Sequence, residues 1–169
     1  EYYRVPRASG RGHVSGVYQG RGAGNVPRIA VSVPLMHEGR FAGIVVGSMA
    51  AASVVPGHGL DEHGFELLLL DRSLTVVQAS AGMPQRALEP LDARDGPQGE
   101  RELARLARGD SQVRRLDAVL GSGGAALGLA VPLDNGWRLL LLQPRAVLDA
   151  ELEAIRVADQ ADGLDWHAV

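Results

Sequence analysis

IAVSVPLMHEGRFAGIVVGSM (Ile29 to Met49) and LGLAVPLDNGWRLLLLQPR (Leu127 to Arg145) are two copies of one phrase in the same chain. Each is an apolar run ending in Val-Pro-Leu, a short polar turn containing Gly39 or Gly136, and a second apolar run. Two apolar runs joined by a glycine-bearing turn read as a β-hairpin. A hairpin used twice predicts two related sheet units in tandem.

Outward from the first copy, Ile29, Val31, Val33 and Leu35 alternate with Ala30, Ser32 and Pro34, the period of a strand with one buried face. Pro34 marks its end or an edge. Upstream, HVSGVYQ (His13 to Gln19) predicts a strand on which Val14 and Tyr18 share a face. Downstream, residues 50–64 lose periodicity and gather Pro56, Gly57, Gly59 and Gly64, the composition of a connector. Phe65 to Leu70, the turn Asp71-Arg72-Ser73, and Leu74 to Ala79 then form a fresh hairpin. A short helix is expected around Arg86 to Leu91. ERELARLAR (Glu100 to Arg108) places Leu103, Leu106 and Ala107 on one side of a helix that stops at Gly109. Gln112 to Leu120 predicts a strand, and GSGG (Gly121 to Gly124) a tight turn into the second copy. Trp137 opens the last strand, opposite Phe65 or Leu67, as a core residue. A terminal helix is expected from Arg145 to Asp159, with Val147, Leu148, Leu152, Ile155 and Ala158 as its apolar stripe.

With 169 residues, 46% of them hydrophobic, and a net charge of -3, the chain has the composition of a globular protein with one good core or two small ones. Its 17 basic residues are all arginine, scattered and balanced by 20 acids, which argues against a nucleic-acid partner. Without cysteine there is neither a disulfide framework nor a thiolate metal site. No run reaches the roughly 18 apolar residues of a membrane span, and EYYRVPRASGR lacks the apolar core of a signal peptide.

Catalytic chemistry finds little support. GRGAGN (Gly20 to Asn25) begins like a phosphate-binding loop, yet a strand rather than a helix follows it, so a plain loop is expected. His58, Asp61, Glu62 and His63 could offer zinc ligands, but loop spacing imposes no common face and no distant partner set completes them. No metal and no cofactor are expected. Ser15, Ser48, Ser80 and Asp71 carry no nucleophile elbow or paired motif, so the chain reads as a non-enzyme.

The order YYRVPR, VSGVYQGRG, IAVSVPL, GRFAGIVVGSM resembles the double Cache sensor domains of bacterial transmembrane receptors. The later segments GFELLLLDRSLTVVQAS and AVPLDNGWRLLLLQPRAVL resemble that family's second lobe and its exit helix. The resemblance implies an α+β, PAS-like antiparallel sheet with flanking helices. It divides the chain into residues 1–55, the later part of a membrane-distal lobe; 56–64, a connector; 65–145, a complete proximal lobe; and 146–169, an exit helix and tail. In the family a long helix and two strands precede the aromatic segment, so residues 1–55 correspond to a partial lobe.

The aromatic-plus-arginine segment lines the distal pocket in that family, which nominates Tyr2, Tyr3, Arg4, Arg7, Tyr18 and Ser48 as ligand-binding residues. Amino-acid-binding members carry an aspartate near the position of Ser48, and this chain departs from them there. The implied function is non-catalytic sensing of a small molecule by the periplasmic part of a membrane-anchored histidine kinase, cyclic-di-GMP enzyme or chemoreceptor, relayed through the terminal helix. A homodimer is compatible with it. The competing readings are a soluble profilin-like or roadblock-like interaction module, and a metal-dependent enzyme using the His58 to His63 cluster.

Overall fold

A computed structural model of the chain describes residues 1–21, 24–55, 63–91 and 94–162. Two antiparallel sheets form, one around each copy of the repeated hairpin. The first contains β1 (His13–Val14), β2 (Tyr18–Gln19), β3 (Pro27–His37) and β4 (Arg40–Ala50). β3 pairs with β4 along its length, while β1 and β2 pair in succession with its other edge. Glu38 and Gly39 take φ of 48° and 74°, the left-handed pair that a two-residue hairpin turn requires. Pro34 does not end β3. It lies past Ser32, where pairing with β1 stops, on an open edge that needs no N–H from it.

Two expectations about this sheet change. Four residues separate Val14 from Tyr18, but only three separate their partners Val31 and Arg28 (18 − 14 against 31 − 28). The extra residue is a bulge at residues 15–17, so Val14 and Tyr18 lie on opposite faces rather than sharing one. The alternation in β3 is also not covered evenly. Ile29, Ala30 and Ser32 are buried at the base, whereas Val33 and Leu35 are about half exposed toward the turn. A six-residue helix, α1 (Arg4–Ser9), precedes the sheet where no helix was expected, capped by left-handed Gly10 donating to the Pro6 carbonyl (2.9 Å).

The second sheet contains β5 (Glu66–Leu70), β6 (Val76–Ala79), β7 (Arg114–Leu116), β8 (Ala126–Pro132) and β9 (Arg138–Pro144), in the order β6-β5-β9-β8-β7. This is the α+β, PAS-like arrangement the resemblance implies. β5 is buried on both faces, which is why it reads as an unbroken leucine run rather than an alternating one. Leu68 and Leu70 enter one core with α2 (Gln98–Arg108), which contributes buried Leu103, Leu106 and Ala107 as its periodicity predicts. Leu67 and Leu69 enter a second core with Trp137, Ile29 and Ala51, so this cluster joins the two sheets. Register sets Leu70 opposite Arg138 and Leu67 opposite Leu141; Trp137 is core, but it lies beyond Leu70 instead of facing Phe65 or Leu67.

No helix forms over Arg86 to Leu91, because that backbone is used by β6. Leu88 N–H donates to Val76 O (2.8 Å) and Val76 N–H to Glu89 O (2.8 Å). The strand expected over Gln112 to Leu120 is only the three residues of β7. Before it, Arg114 bonds Asp110 (2.8 Å) and holds that exposed carboxyl below its usual range. α3 (Arg145–Asp162) follows β9 directly; Val147 and Leu148 are half-buried, but Leu152 and Ile155 are exposed, so only the start of the predicted stripe is covered. His58, Asp61 and Glu62 lie outside the described residues, among which no His/Asp/Glu group could hold a metal. No described helix is long and apolar enough to cross a membrane.

Gly99 in α2 offers a test of this packing. A Cβ there would stand 2.3 Å from the Ala118 carbonyl oxygen, which is backbone and cannot swing aside. Alanine in a helix ordinarily stabilises by up to about 1 kcal/mol relative to glycine. Here overpacking wins, and Gly99→Ala is expected to lose about 1–2 kcal/mol in urea unfolding.

Candidate ligand site

The bulge in the first sheet and the β5–β6 turn of the second face each other across a cleft of about 760 Å³. Tyr2, Tyr18 and Val46 line it from the first side, Asp71, Ser73 and Thr75 from the second. The bulge keeps its shape through Ser15, whose N–H donates to Ala30 O (2.9 Å) and whose Oγ accepts from Ala30 N–H (2.9 Å). Asp71 binds both sides. Its Oδ1 accepts from Ser73 N–H (2.8 Å) and Thr75 N–H (3.0 Å), closing its own turn, and its Oδ2 accepts from Val17 N–H across the cleft (3.2 Å). Arg72 adds a second link, donating from Nη1 to Val14 O (3.1 Å) and from Nε to Asn135 O (2.7 Å). Glycine at position 16 permits this approach, since a Cβ there would lie 2.7 Å from Asp71 Oδ2.

The charge of the lining is one-sided. Among the described residues, Glu1 and Asp71 line the cleft and no arginine does. Asp71 is 4% exposed and has no ion-pair partner among them. A buried carboxylate held only by neutral N–H groups, beside two tyrosine rings, favours a cation through both charge pairing and the ring faces.

The predicted site residues fall into separate groups. Tyr2 and Tyr18 line the cleft; Tyr3, Arg4, Arg7 and Ser48 do not. Tyr3 meets Phe41 edge-on at 5.8 Å, and the Arg7 guanidinium lies 5.9 Å from the Tyr3 ring and 6.0 Å from that of Phe41. Arg4 is exposed in α1. The Tyr18 hydroxyl and Ser48 Oγ are 3.0 Å apart, and Arg28 donates from Nε to the same Oγ (2.9 Å) and from Nη2 to Ser48 O (3.1 Å). A guanidinium therefore stands against Ser48, the position at which the resemblance led us to look for an aspartate. The sequence places Asp71 in a turn and gives it no paired catalytic motif; its contact with Val17 spans 54 residues and leaves no local signal of a binding role.

No protein-family model matches the chain, and no curated protein does. Solved structures do. The extracellular domain of histidine kinase mmHK1S-Z3 aligns over 90% of this chain and 56% of its own, at 16% identity and a TM-score of 0.60. The ligand-binding domain of the Pseudomonas fluorescens chemoreceptor CtaA, in complex with L-alanine, aligns over 85% and 59%, at 13% identity and 0.58. That of the Pseudomonas aeruginosa PAO1 amino-acid chemoreceptor PctC, in complex with GABA, aligns over 84% and 60%, at 16% and 0.52. The chain thus spans little more than half the length of the structures it matches. Its fold is the one shared by the extracellular domain of that histidine kinase and the ligand-binding domains of those chemoreceptors, the α+β, PAS-like fold that the sequence resemblance implied.

Proposed function

We propose that this chain is a non-catalytic, ligand-sensing part of a membrane-anchored bacterial receptor, facing the periplasm, and that its cleft takes a small molecule bearing an ammonium group. Residues 1–55 then act as the later part of a distal lobe, 56–64 as a connector, 65–145 as the proximal lobe and 146–169 as the exit helix and tail. The observation that carries this reading is the cleft itself, built from both sheets and lined, among the described residues, by acids and tyrosines without a basic residue. CtaA and PctC, which share the fold, are solved with the amine-bearing ligands L-alanine and GABA. Asp71 supplies the carboxylate that Ser48 cannot. Tyr2 and Tyr18 form the wall, and Ser48 holds the Tyr18 hydroxyl from outside (3.0 Å).

The proposed relay through the terminal helix is supported by connectivity. The Asp71 turn ends β5, β5 pairs with β9, and β9 runs straight into α3. A ligand shifts the arrangement of the two sheets only by binding one arrangement more tightly than the other. Thermal-shift titration with GABA, L-alanine, L-leucine and putrescine, and with 1-butanol as the amine-free comparison, tests the site. At least one amine is expected to raise the melting temperature, and Asp71→Asn to abolish that rise. A rise that persists in Asp71→Asn, or none with any of the four amines, would overturn the assignment.

A further inference from the structure

The two ends of β6 open onto different recesses. The cleft lies at its start; a second recess, of about 510 Å³, lies at its end. Its walls are Ala50, Ala51 and Ala52 leaving β4, and Val77, Ala79 and Ala81 on and after β6. It therefore also spans both sheets, but its chemistry is the reverse of the cleft's. Among the described residues that line it, Arg86 is the sole charged side chain, and there is no acid.

Arg86 is held in place and only partly used. Its Nη1 donates to the carbonyls of Met83 (3.2 Å), Pro84 (3.2 Å) and Gln85 (3.3 Å), while Nε and Nη2 have no partner among the described residues. It makes no ion pair among them either. Beside it, Gln85 also lines the recess; it is 5% exposed, and its Oε1 has no hydrogen-bond partner among the described residues. Arg86 itself is exposed at the rim of the recess, so its free N–H groups stand ready for a charge-assisted pair with an anion, while the buried Gln85 oxygen, an acceptor, needs a donor such as a water held between it and that anion. The remaining polar groups are occupied: Gln78 bonds Val55 O and N–H (3.0 and 3.1 Å), and Ser80 Oγ bonds Glu66 and accepts from Leu67 N–H (2.8 Å).

We infer that this recess is a second binding site, for a short-chain carboxylate: the carboxylate pairs with Arg86, the alkyl chain lies along the alanine and valine walls, and Gln85 Oε1 accepts from a water that also donates to the carboxylate. Because the walls come from both sheets, such a ligand braces the junction independently of the cleft.

Calorimetry of the whole chain with hexanoate, hexylamine and 1-hexanol tests this. Hexanoate is expected to bind at least about tenfold tighter than the other two, the margin of a charge-assisted pair. Arg86→Gln is expected to erase that margin. Asp71→Asn is expected to leave it intact, which separates this site from the cleft. Because Arg86 also ties its own turn, a second measurement uses the unsubstituted protein: nuclear Overhauser contacts from hexanoate to the Ala51 and Ala79 methyl groups. Equal binding of the three compounds, no binding, hexanoate affinity unchanged by Arg86→Gln, or contacts elsewhere would each overturn the inference.

Discussion

Trp137→Ala is expected to destabilise the protein by about 3 kcal/mol, near the lower end of the range for truncating a large buried aromatic. Trp137 is 2% exposed and is a central member of the cluster that joins Ile29 and Ala51 of the first sheet's side to Leu67, Leu69 and Val77 of the second. Removing it leaves a cavity at the seam, and neither sheet can close it without moving against the other. The low end of the range applies because the indole Nε1 has no hydrogen-bond partner among the described residues. An unpaired buried donor costs roughly 1–3 kcal/mol, and truncation removes that cost too. Trp137→Phe separates the two contributions. It keeps most of the buried ring area and deletes the unpaired N–H, so it is expected to lie within about 1 kcal/mol of the parent. Urea denaturation checks both variants. A phenylalanine variant as unstable as the alanine one would show that the indole N–H has a partner in solution and that the seam depends on it.

What the sequence made legible was what short-range pattern can carry. The two Val-Pro-Leu hairpins, the Asp71-Arg72-Ser73 turn and the Leu103, Leu106, Ala107 face of α2 are local features, and all appear in the structure. What it hid depends on partners distant in the chain. Period-two alternation in β3 announces a strand, but which residues are covered depends on what packs there, and Val33 and Leu35 stay half exposed. One extra residue between Val14 and Tyr18 inverts a face, and its one local mark is Gly16 inside the strand pattern. α1 is too short to be stable alone, so it leaves no periodic trace and is held by its contacts with β3 and β4. The candidate site follows the same division. Tyr2 and Tyr18 were legible through the family resemblance, whereas Asp71 and Arg86 acquire their roles only when the two sheets meet.

Asp71→Ala is the second large effect, expected at about 2–4 kcal/mol because three backbone N–H groups lose their acceptor in a buried setting. The informative comparison is Asp71→Asn. An asparagine retains one acceptor oxygen, and the Oδ1 position closes the turn through two bonds while Oδ2 makes only one. The carbonyl therefore takes the Oδ1 place, and the amide nitrogen, a donor, is left facing the Val17 N–H, also a donor. The turn survives and the bridge between the sheets is cut. Asp71→Asn is accordingly expected to cost about 1–2 kcal/mol. Amide exchange is expected to accelerate at Val17 while protection at Ser73 and Thr75 is kept. Gly16→Ala attacks the same bridge from the other side, since its Cβ would lie 2.7 Å from Asp71 Oδ2, and should give the same exchange signature without touching the turn's acceptor. If Val17 stays protected in both variants, Asp71 serves its own turn only. The β1–β2 bulge would then be held by Ser15 and Arg72 alone, and the route from the cleft through β5 and β9 to α3 would have to start elsewhere.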